Sequence, residues 1–130
     1  MIYLDSTAVV KLVHVEAETS ALSTWLAERP GVPLVTSLLT SVEAERALRR
    51  IDPPALPQLP LVLGGINKVL IGESICAAAG AYADPNLRTI DAIHLATAAF
   101  LGAALTSLIT YDARLEVAAV ALGMTVAKPV

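Results

Sequence analysis

Short apolar runs and amphipathic stretches alternate along the whole chain. Strands that alternate with helices in this way predict an α/β fold, in which a central parallel sheet of four to five strands is flanked by helices on both faces. Ser6 or Thr7 is expected to cap the first helix, and Ser37 or Thr40 the third. The predicted strands are 2–4, 33–36, 69–71, 108–110 and 124–126. The first predicted helix follows its cap and includes the apolar residues up to Val13, and the third follows its cap and ends at Arg50. The other predicted helices are 18–28, 73–82, 89–101 and 113–121.

Two stretches interrupt this simple alternation. Residues 52–65 contain four of the eight prolines and are predicted to form a loop. Residues 92–109 carry no formal charge, and their length approaches that of a membrane span. Because Gly102 interrupts the stretch and Asp91 and Asp112 flank it, we interpret it as a buried helix followed by a buried strand. No membrane-spanning segment is expected.

The composition narrows the class of protein. With 130 residues, 55% of them hydrophobic, the chain can build a core as one domain spanning residues 1–130, and a disordered chain is excluded. Cys76 is the only cysteine, which excludes a disulfide framework and a cysteine-based zinc site. No basic segment precedes the first apolar run, so we expect a soluble, cytoplasmic protein without a signal peptide. The net charge of −3 argues weakly against a non-specific nucleic-acid-binding protein.

Four carboxylates fall at the edge of the sheet where function is expected in parallel α/β folds. Asp5 and Asp112 follow the first and fourth strands, Asp91 lies in the first turn of the long helix, and Glu43 lies about two turns into the helix after the second strand. Carboxylates at close range repel one another unless a cation lies among them. All-oxygen ligands favour Mg²⁺ or Mn²⁺ over Zn²⁺. The pattern therefore suggests metal-assisted hydrolysis of a phosphodiester.

Each of these carboxylates also has a structural explanation. Asp5 and Asp112 could cap the helices that follow them, and the helix dipole favours an acid at Asp91. Glu43 and Glu45 could form a solvated helix face, and periodicity does not choose between them. The spacing alone leaves both interpretations open.

Four segments, in this order, resemble the signature of PIN-domain ribonucleases, and above all that of the VapC-like toxins of bacterial type II toxin–antitoxin pairs. The segment around Asp91 is the most specific of them. The resemblance covers nearly the whole chain, and residues 52–65 are its least typical part. The segments are IYLDST at 2–7, TSLLTSVE at 36–43, LRTIDAIHLATA at 87–98 and TYD at 110–112.

This resemblance implies a PIN-like α/β/α sandwich and a metal-dependent endoribonuclease. Its metal site would be Asp5, Glu43, Asp91 and Asp112, which hold Mg²⁺ or, as a substitute, Mn²⁺. The resemblance selects Glu43 over Glu45 because of its spacing from the Thr-Ser pair. A metal-activated water would hydrolyse RNA and leave 3′-hydroxyl and 5′-phosphate ends. The implied partners are a second copy of the chain, in a homodimer, and a cognate antitoxin that directs a basic side chain to the acidic pocket.

Several further residues have a functional and a structural interpretation. Ser6 and Thr110 could orient neighbouring carboxylates through their hydroxyls, or form caps and turns. His94 lies on an otherwise apolar helix and is predicted to be packed and hydrogen-bonded rather than a metal ligand or a base. A basic cluster could contact RNA phosphates or lie in solvent at a helix end. Its members are Arg46, Arg49, Arg50 and Arg88, joined by Lys11 and Arg114.

Three other functions are alternatives to this one. A PIN-domain nuclease that processes RNA without a toxin role shares every motif. A non-catalytic protein-binding PIN module would tolerate loss of the carboxylates, whereas this chain has all four. An aspartyl phosphatase needs a second acid two residues after Asp5, where Thr7 stands instead. No Gly-rich phosphate loop or dinucleotide fingerprint occurs, so no nucleotide cofactor is expected.

Overall fold

The computed structural model describes all residues from 1 to 130. Five strands and seven α-helices alternate along the chain, and two short 3₁₀ helices lie at Pro53–Gln58 and Gly102–Ala104. The strands are β1 (Ile2–Leu4), β2 (Leu34–Ser37), β3 (Asn67–Val69), β4 (Ser107–Ile109) and β5 (Val126–Ala127). The helices are α1 (Ser6–Val13), α2 (Thr19–Ala27), α3 (Leu39–Ile51), α4 (Leu59–Gly64), α5 (Glu73–Gly80), α6 (Thr89–Phe100) and α7 (Ala113–Ala121).

The strands form one parallel sheet in the order β3-β2-β1-β4-β5, as the alternation predicts. β1 lies in the centre, and its side chains point to alternate faces of the sheet. Ile2 and Leu4 pack with α1, α2, α3 and α4 in one hydrophobic cluster, whereas Tyr3 packs with α6 and α7 in another. The sheet is thus covered on both faces, in an α/β/α sandwich.

The serine and threonine residues predicted to cap the first and third helices do not have that role. Asp5, rather than Ser6 or Thr7, is the N-cap of α1, and its side chain accepts a hydrogen bond from the backbone N–H of Ala8. The chain is extended at Asp5, which lets the carboxylate turn back over the first helical turn. α3 begins after Leu38 and has no side-chain cap, so neither Ser37 nor Thr40 has that role. Thr40 is instead buried, where its hydroxyl accepts a hydrogen bond from Thr36.

The proline-containing segment is helical, so the predicted loop at 52–65 is wrong. Prolines lie in the first turns of both the 3₁₀ helix and α4. A backbone N–H in the first turn has no intrahelical acceptor, so a proline there costs the helix no hydrogen bond. Ala55, Leu59 and Leu63 are buried in the core at intervals of four residues. That spacing was visible in the sequence and is typical of a helix.

The third strand lies two residues earlier than predicted. Ile66, just before β3, is buried, whereas Leu70, just after it, is 71% exposed. β3 pairs with β2 alone and forms one edge of the sheet, where polar residues such as Asn67 and Lys68 are tolerated. The apolar residues 69–71 therefore lie at the end of β3 and beyond it, and not in its middle.

The apolar stretch 92–109 divides into most of α6, the short 3₁₀ helix and β4. This division agrees with the predicted helix and strand. No helix in the structure has both the length and the apolar character needed to cross a membrane.

Candidate active site

A cavity of about 330 Å³ opens at the carboxyl ends of the central strands. β1 and β4 are neighbours in the sheet, so Asp5 and Asp112, which follow these strands, approach the same place. The N-terminal turn of α6 brings Asp91, and the second turn of α3 brings Glu43. All four predicted carboxylates therefore line one cavity. Its full lining is Asp5, Ser6, Thr7, Glu43, Arg88, Thr89, Ile90, Asp91, His94, Asp112 and Leu115.

Asp5 is the most enclosed of these acids, with only 2% of its surface exposed. Its Oδ1 accepts hydrogen bonds from the Thr7 hydroxyl at 2.6 Å and the Ala8 N–H at 3.0 Å, and its Oδ2 accepts one from the Thr110 hydroxyl at 2.5 Å. Burial raises the pKa of Asp5, although these three hydrogen bonds act in the opposite direction. The structure thus gives Thr110 the orienting contact that its position suggests.

Asp91 and Asp112 share one cation, Arg88. The Nε of Arg88 donates to Oδ2 of Asp91 at 3.0 Å, and a terminal nitrogen donates to Oδ2 of Asp112 at 3.1 Å. The hydrogen bond to Asp91 is the main reason that the pKa of Arg88 is raised. Asp112 also caps α7 by accepting from the N–H groups of Arg114 and Leu115. The capping and pocket-lining interpretations of Asp5 and Asp112 therefore hold together.

Glu43 is held from two sides. Its Oε1 lies 2.7 Å from Nε2 of His94, and its Oε2 accepts a hydrogen bond from the Ser6 hydroxyl at 3.2 Å. Nδ1 of His94 lies 2.7 Å from the hydroxyl oxygen of Tyr3. His94 is 1% exposed, which confirms the prediction of a packed, hydrogen-bonded histidine. Glu45, in contrast, is exposed and pairs with Arg49 outside the cavity.

The basic cluster divides into separate groups. Arg88 is the only arginine that lines the acidic cavity. Arg49 is engaged with Glu45 at 2.6 Å, and Arg46 and Arg50 are exposed on the same helix. Lys11 is buried against Glu16 and Glu18, so it does not join a basic surface. Arg114 lies on α7 in a neighbouring cavity.

The ligand chemistry of the cavity fits a hard divalent cation. All four acids offer oxygen, and a carboxylate has about four acceptor sites, so Asp5 with its three donors keeps one free. In the present arrangement no three Asp, Glu, His or Cys side chains lie close enough to hold one metal ion. The Arg88 guanidinium instead places a positive charge between Asp91 and Asp112. Metal binding at these two acids would require Arg88 to turn away.

The sequence pattern does not reveal the contacts of two residues. It indicates only a cap at Thr7, yet the Thr7 hydroxyl joins Asp5 to the backbone N–H of Tyr111. It indicates only a strand at Tyr3, although the Tyr3 hydroxyl contacts His94. Tyr111 is 104 residues from Thr7 and His94 is 91 residues from Tyr3, so no local spacing could reveal these two contacts. The alternation of side chains along β1 did offer one signal, because it places Tyr3 on the α6 face.

Comparison of the sequence with known proteins assigns the chain to a family. The PIN domain family matches residues 2–121 of the chain. Ribonuclease VapC35 of Mycobacterium tuberculosis is 47% identical to it over 99% of this chain and 97% of that protein.

Two solved structures have the same fold. VapC20 of Mycobacterium tuberculosis, a toxin that cleaves the sarcin–ricin loop, matches with a TM-score of 0.74 at 16% identity, over 91% of this chain and 95% of its own. VapBC-1 of nontypeable Haemophilus influenzae matches with a TM-score of 0.73 at 19% identity, over 98% of both chains. At these identities the structural likeness supports the fold, while the sequence match to VapC35 is much closer. The chain therefore belongs to the VapC group of the PIN domain family.

Proposed function

We propose that this protein is a divalent-metal-dependent endoribonuclease and the toxin of a type II toxin–antitoxin pair. The single observation that carries the proposal is the convergence of Asp5, Glu43, Asp91 and Asp112 on one cavity in a chain that is 47% identical to a VapC ribonuclease. VapC-type PIN-domain nucleases generally depend on a divalent metal ion. Mg²⁺, with Mn²⁺ as a substitute, matches an all-oxygen ligand set.

Asp5, Glu43, Asp91 and Asp112 are the residues that would hold the metal. When bound, a divalent cation supplies charge stabilisation at the phosphate and lowers the pKa of a water molecule. Side chains of the chain itself position the carboxylates. Thr7 and Thr110 donate hydrogen bonds to Asp5, and Ser6 donates one to Glu43. The side chains of Asp5 and Glu43 therefore keep little rotational freedom.

RNA binding is assigned to arginines near the cavity. Arg88 is 53% exposed at its side chain and lies at the mouth of the acidic cavity, where it can exchange a carboxylate for an RNA phosphate. Arg46 and Arg50 are exposed further along α3, and Arg49 is available once it leaves Glu45. These arginines would follow the backbone of the RNA and not its base sequence.

The proposed partners are a cognate antitoxin and a second copy of the chain. The antitoxin is supported by structural neighbours that are toxin–antitoxin complexes, including one from Klebsiella pneumoniae. A basic antitoxin side chain would meet the same carboxylates that Arg88 contacts here. We place the pair in the cytoplasm, where its RNA substrate is found.

Cleavage of total cellular RNA by the purified protein tests this proposal. The assay compares Mg²⁺, Mn²⁺ and EDTA, with Asp91→Asn beside the wild type. We expect cutting with either metal, none in EDTA, and a loss of at least about a hundredfold in the variant, because metal charge stabilisation is worth several kcal/mol. The cut RNA should carry 5′-phosphate ends.

Asp84→Asn is a matched control, because Asp84 is an exposed acid that does not line the acidic cavity. It should cleave as the wild type does. Absence of cutting with every metal would contradict the nuclease and leave a protein-binding PIN module. Equal cutting by Asp91→Asn would contradict the assignment of the site.

A further inference from the structure

A chain of three buried or half-buried side chains links the centre of the sheet to the acidic cavity. Tyr3 is fully buried in β1, and His94 in α6 is 1% exposed. Both imidazole nitrogens are engaged, Nδ1 with the Tyr3 hydroxyl and Nε2 with Oε1 of Glu43, each at 2.7 Å. The Tyr3 and His94 rings also pack edge to face, with centroids 5.9 Å apart. The three groups form a continuous path between a core strand and a candidate metal ligand.

The chemistry of these groups fixes the direction of one hydrogen bond. A carboxylate accepts hydrogen bonds and donates none, so Nε2 of His94 is the donor and Glu43 the acceptor. The Tyr3 hydroxyl, which can donate or accept, meets the other nitrogen, Nδ1. Tyr3 and His94 are both fully buried, so the ring is held at both nitrogens with Nε2 towards Glu43.

We propose that Tyr3 and His94 are positioning residues, which hold Glu43 in the orientation needed for metal binding by keeping Nε2 of His94 against its carboxylate. This inference deepens the proposed function and rests on it for the role of Glu43. Without the Tyr3 hydroxyl, Nδ1 of His94 is buried without a partner and the ring is free to rotate. Nε2 then leaves the carboxylate, and Glu43 loses its donor.

The other histidine of the chain provides a natural control. His14 also contacts an acid, with Nδ1 2.7 Å from Oδ2 of Asp52, but both side chains are 30% exposed. This pair lies in a different cavity and has no tyrosine behind it. Tyr111 is the matching control for Tyr3, because its hydroxyl donates to the carbonyl oxygen of Pro129 at 2.8 Å and to no histidine.

The first test follows the Nε2–H protons of the imidazole rings by NMR, without metal or RNA. The chain has two histidines, so spectra of His14→Gln and His94→Gln assign both rings. We expect the Nε2–H proton of His94 to be protected from exchange with water in the wild type and in Tyr111→Phe, and to exchange rapidly in Tyr3→Phe. A wild-type Nε2–H of His94 that exchanges rapidly, or one whose protection is unchanged in Tyr3→Phe, overturns the inference.

The second test measures Mn²⁺ binding by calorimetry on the same proteins. Supporting residues of this kind typically change metal affinity by about ten- to a hundredfold, so we expect Tyr3→Phe and His94→Leu to bind Mn²⁺ about tenfold more weakly. His94→Gln should recover most of the affinity, because its amide N–H reaches the position of Nε2. His94→Asn, which reaches only Nδ1, should not. Tyr111→Phe and His14→Gln should bind as the wild type does.

The two tests separate this inference from the proposed function. Unchanged Mn²⁺ affinity in Tyr3→Phe, with normal binding by the wild type, overturns the inference and leaves the nuclease standing. Failure of the wild type to bind Mn²⁺ overturns the metal site, and this inference with it. Urea denaturation of each variant identifies a loss of affinity that comes from unfolding, and rescue by His94→Gln excludes a purely structural role.

Discussion

Two histidine–carboxylate pairs of equal length lie in very different parts of this molecule. His94 and Glu43 meet at 2.7 Å inside the acidic cavity, with Tyr3 behind the ring and Ser6 on the other carboxylate oxygen. His14 and Asp52 also meet at 2.7 Å, but they join the end of α1 to the end of α3 at the surface. The same contact therefore belongs to a connected network in one place and stands alone in the other.

The difference shows what distinguishes a site from a surface contact. In the cavity, three of the four carboxylates are held by groups from distant parts of the chain: Asp5 by Thr110, Asp112 by Arg88, and Glu43 by His94. Outside it, Glu45 meets an arginine of its own helix, and such exposed pairs contribute little to stability. Contacts of equal length thus differ in their importance for function, and matched substitutions inside and outside the cavity can test this difference.

The largest difference should appear between two glutamates on the same helix. We expect Glu43→Gln to lower RNA cleavage by at least about a hundredfold, because it removes charge from a metal site worth several kcal/mol to the transition state. Glu45→Gln, two residues away, should stay within about twofold of the wild type, as expected for an exposed ion pair. Cleavage rates at saturating Mg²⁺ measure both. Equal losses would place both glutamates in one functional surface and contradict the distinction between the cavity and the exposed ion pair.

A smaller difference should separate two arginines. Arg88→Met removes the cation between Asp91 and Asp112, so Mn²⁺ should bind about tenfold more tightly, as expected for removing a unit charge about 6 Å from a divalent cation in water. Arg49→Met removes an arginine paired with Glu45 and should leave Mn²⁺ affinity unchanged. Calorimetric titration measures both. Weaker Mn²⁺ binding in Arg88→Met would mean that Arg88 assembles the metal site and does not compete with it.

The smallest effect concerns stability and pH, where two acids should behave in opposite ways. Burial raises the pKa of Asp5 above its ordinary value of 3.8, so its charge destabilises the folded state above the raised pKa. In EDTA, Asp5→Asn should therefore be more stable than the wild type at neutral pH, and the gain should shrink as the pH falls towards 3.8.

Glu18 provides the opposite case. The hydrogen bond from Lys11 lowers the pKa of Glu18 below 4.5, so its stabilising contribution is present above pH 4.5 and is lost as the pH falls through the lowered pKa. Glu18→Gln should be less stable than the wild type at neutral pH, and the difference should vanish in acid. Urea denaturation between pH 3 and 8 measures both variants. A common sign for the two would contradict the assigned causes.

Much of the architecture could be predicted from local pattern. β1, α7 and the parallel sheet follow from apolar runs and their alternation with helices, because parallel strands are buried on both faces. Asp5, Asp91 and Asp112 follow from the same pattern, since strand ends and helix starts meet at one edge of such a sheet. Glu43 needed the resemblance, because helical periodicity treats it and Glu45 alike.

The remaining features depend on contacts that local pattern does not encode. Prolines at 53–60 indicated a loop, but proline is compatible with the first turn of a helix, and the burial of Leu59 and Leu63 decides the outcome. His94 could be predicted to be packed, but its partners Tyr3 and Glu43 are 91 and 51 residues away. The bridging role of Arg88 likewise depends on α6 meeting the end of β4.

Diffraction from crystals grown with Mn²⁺ would show whether the acidic cavity holds a metal, because the anomalous signal locates the ion without reference to activity. We expect a peak in the cavity within coordination distance of carboxylate oxygens from among Asp5, Glu43, Asp91 and Asp112. Arg88 should then have turned away from Asp91 and Asp112. A cavity without a peak at saturating Mn²⁺, with Arg88 still between the two aspartates, would contradict the metal site on which the proposed nuclease depends.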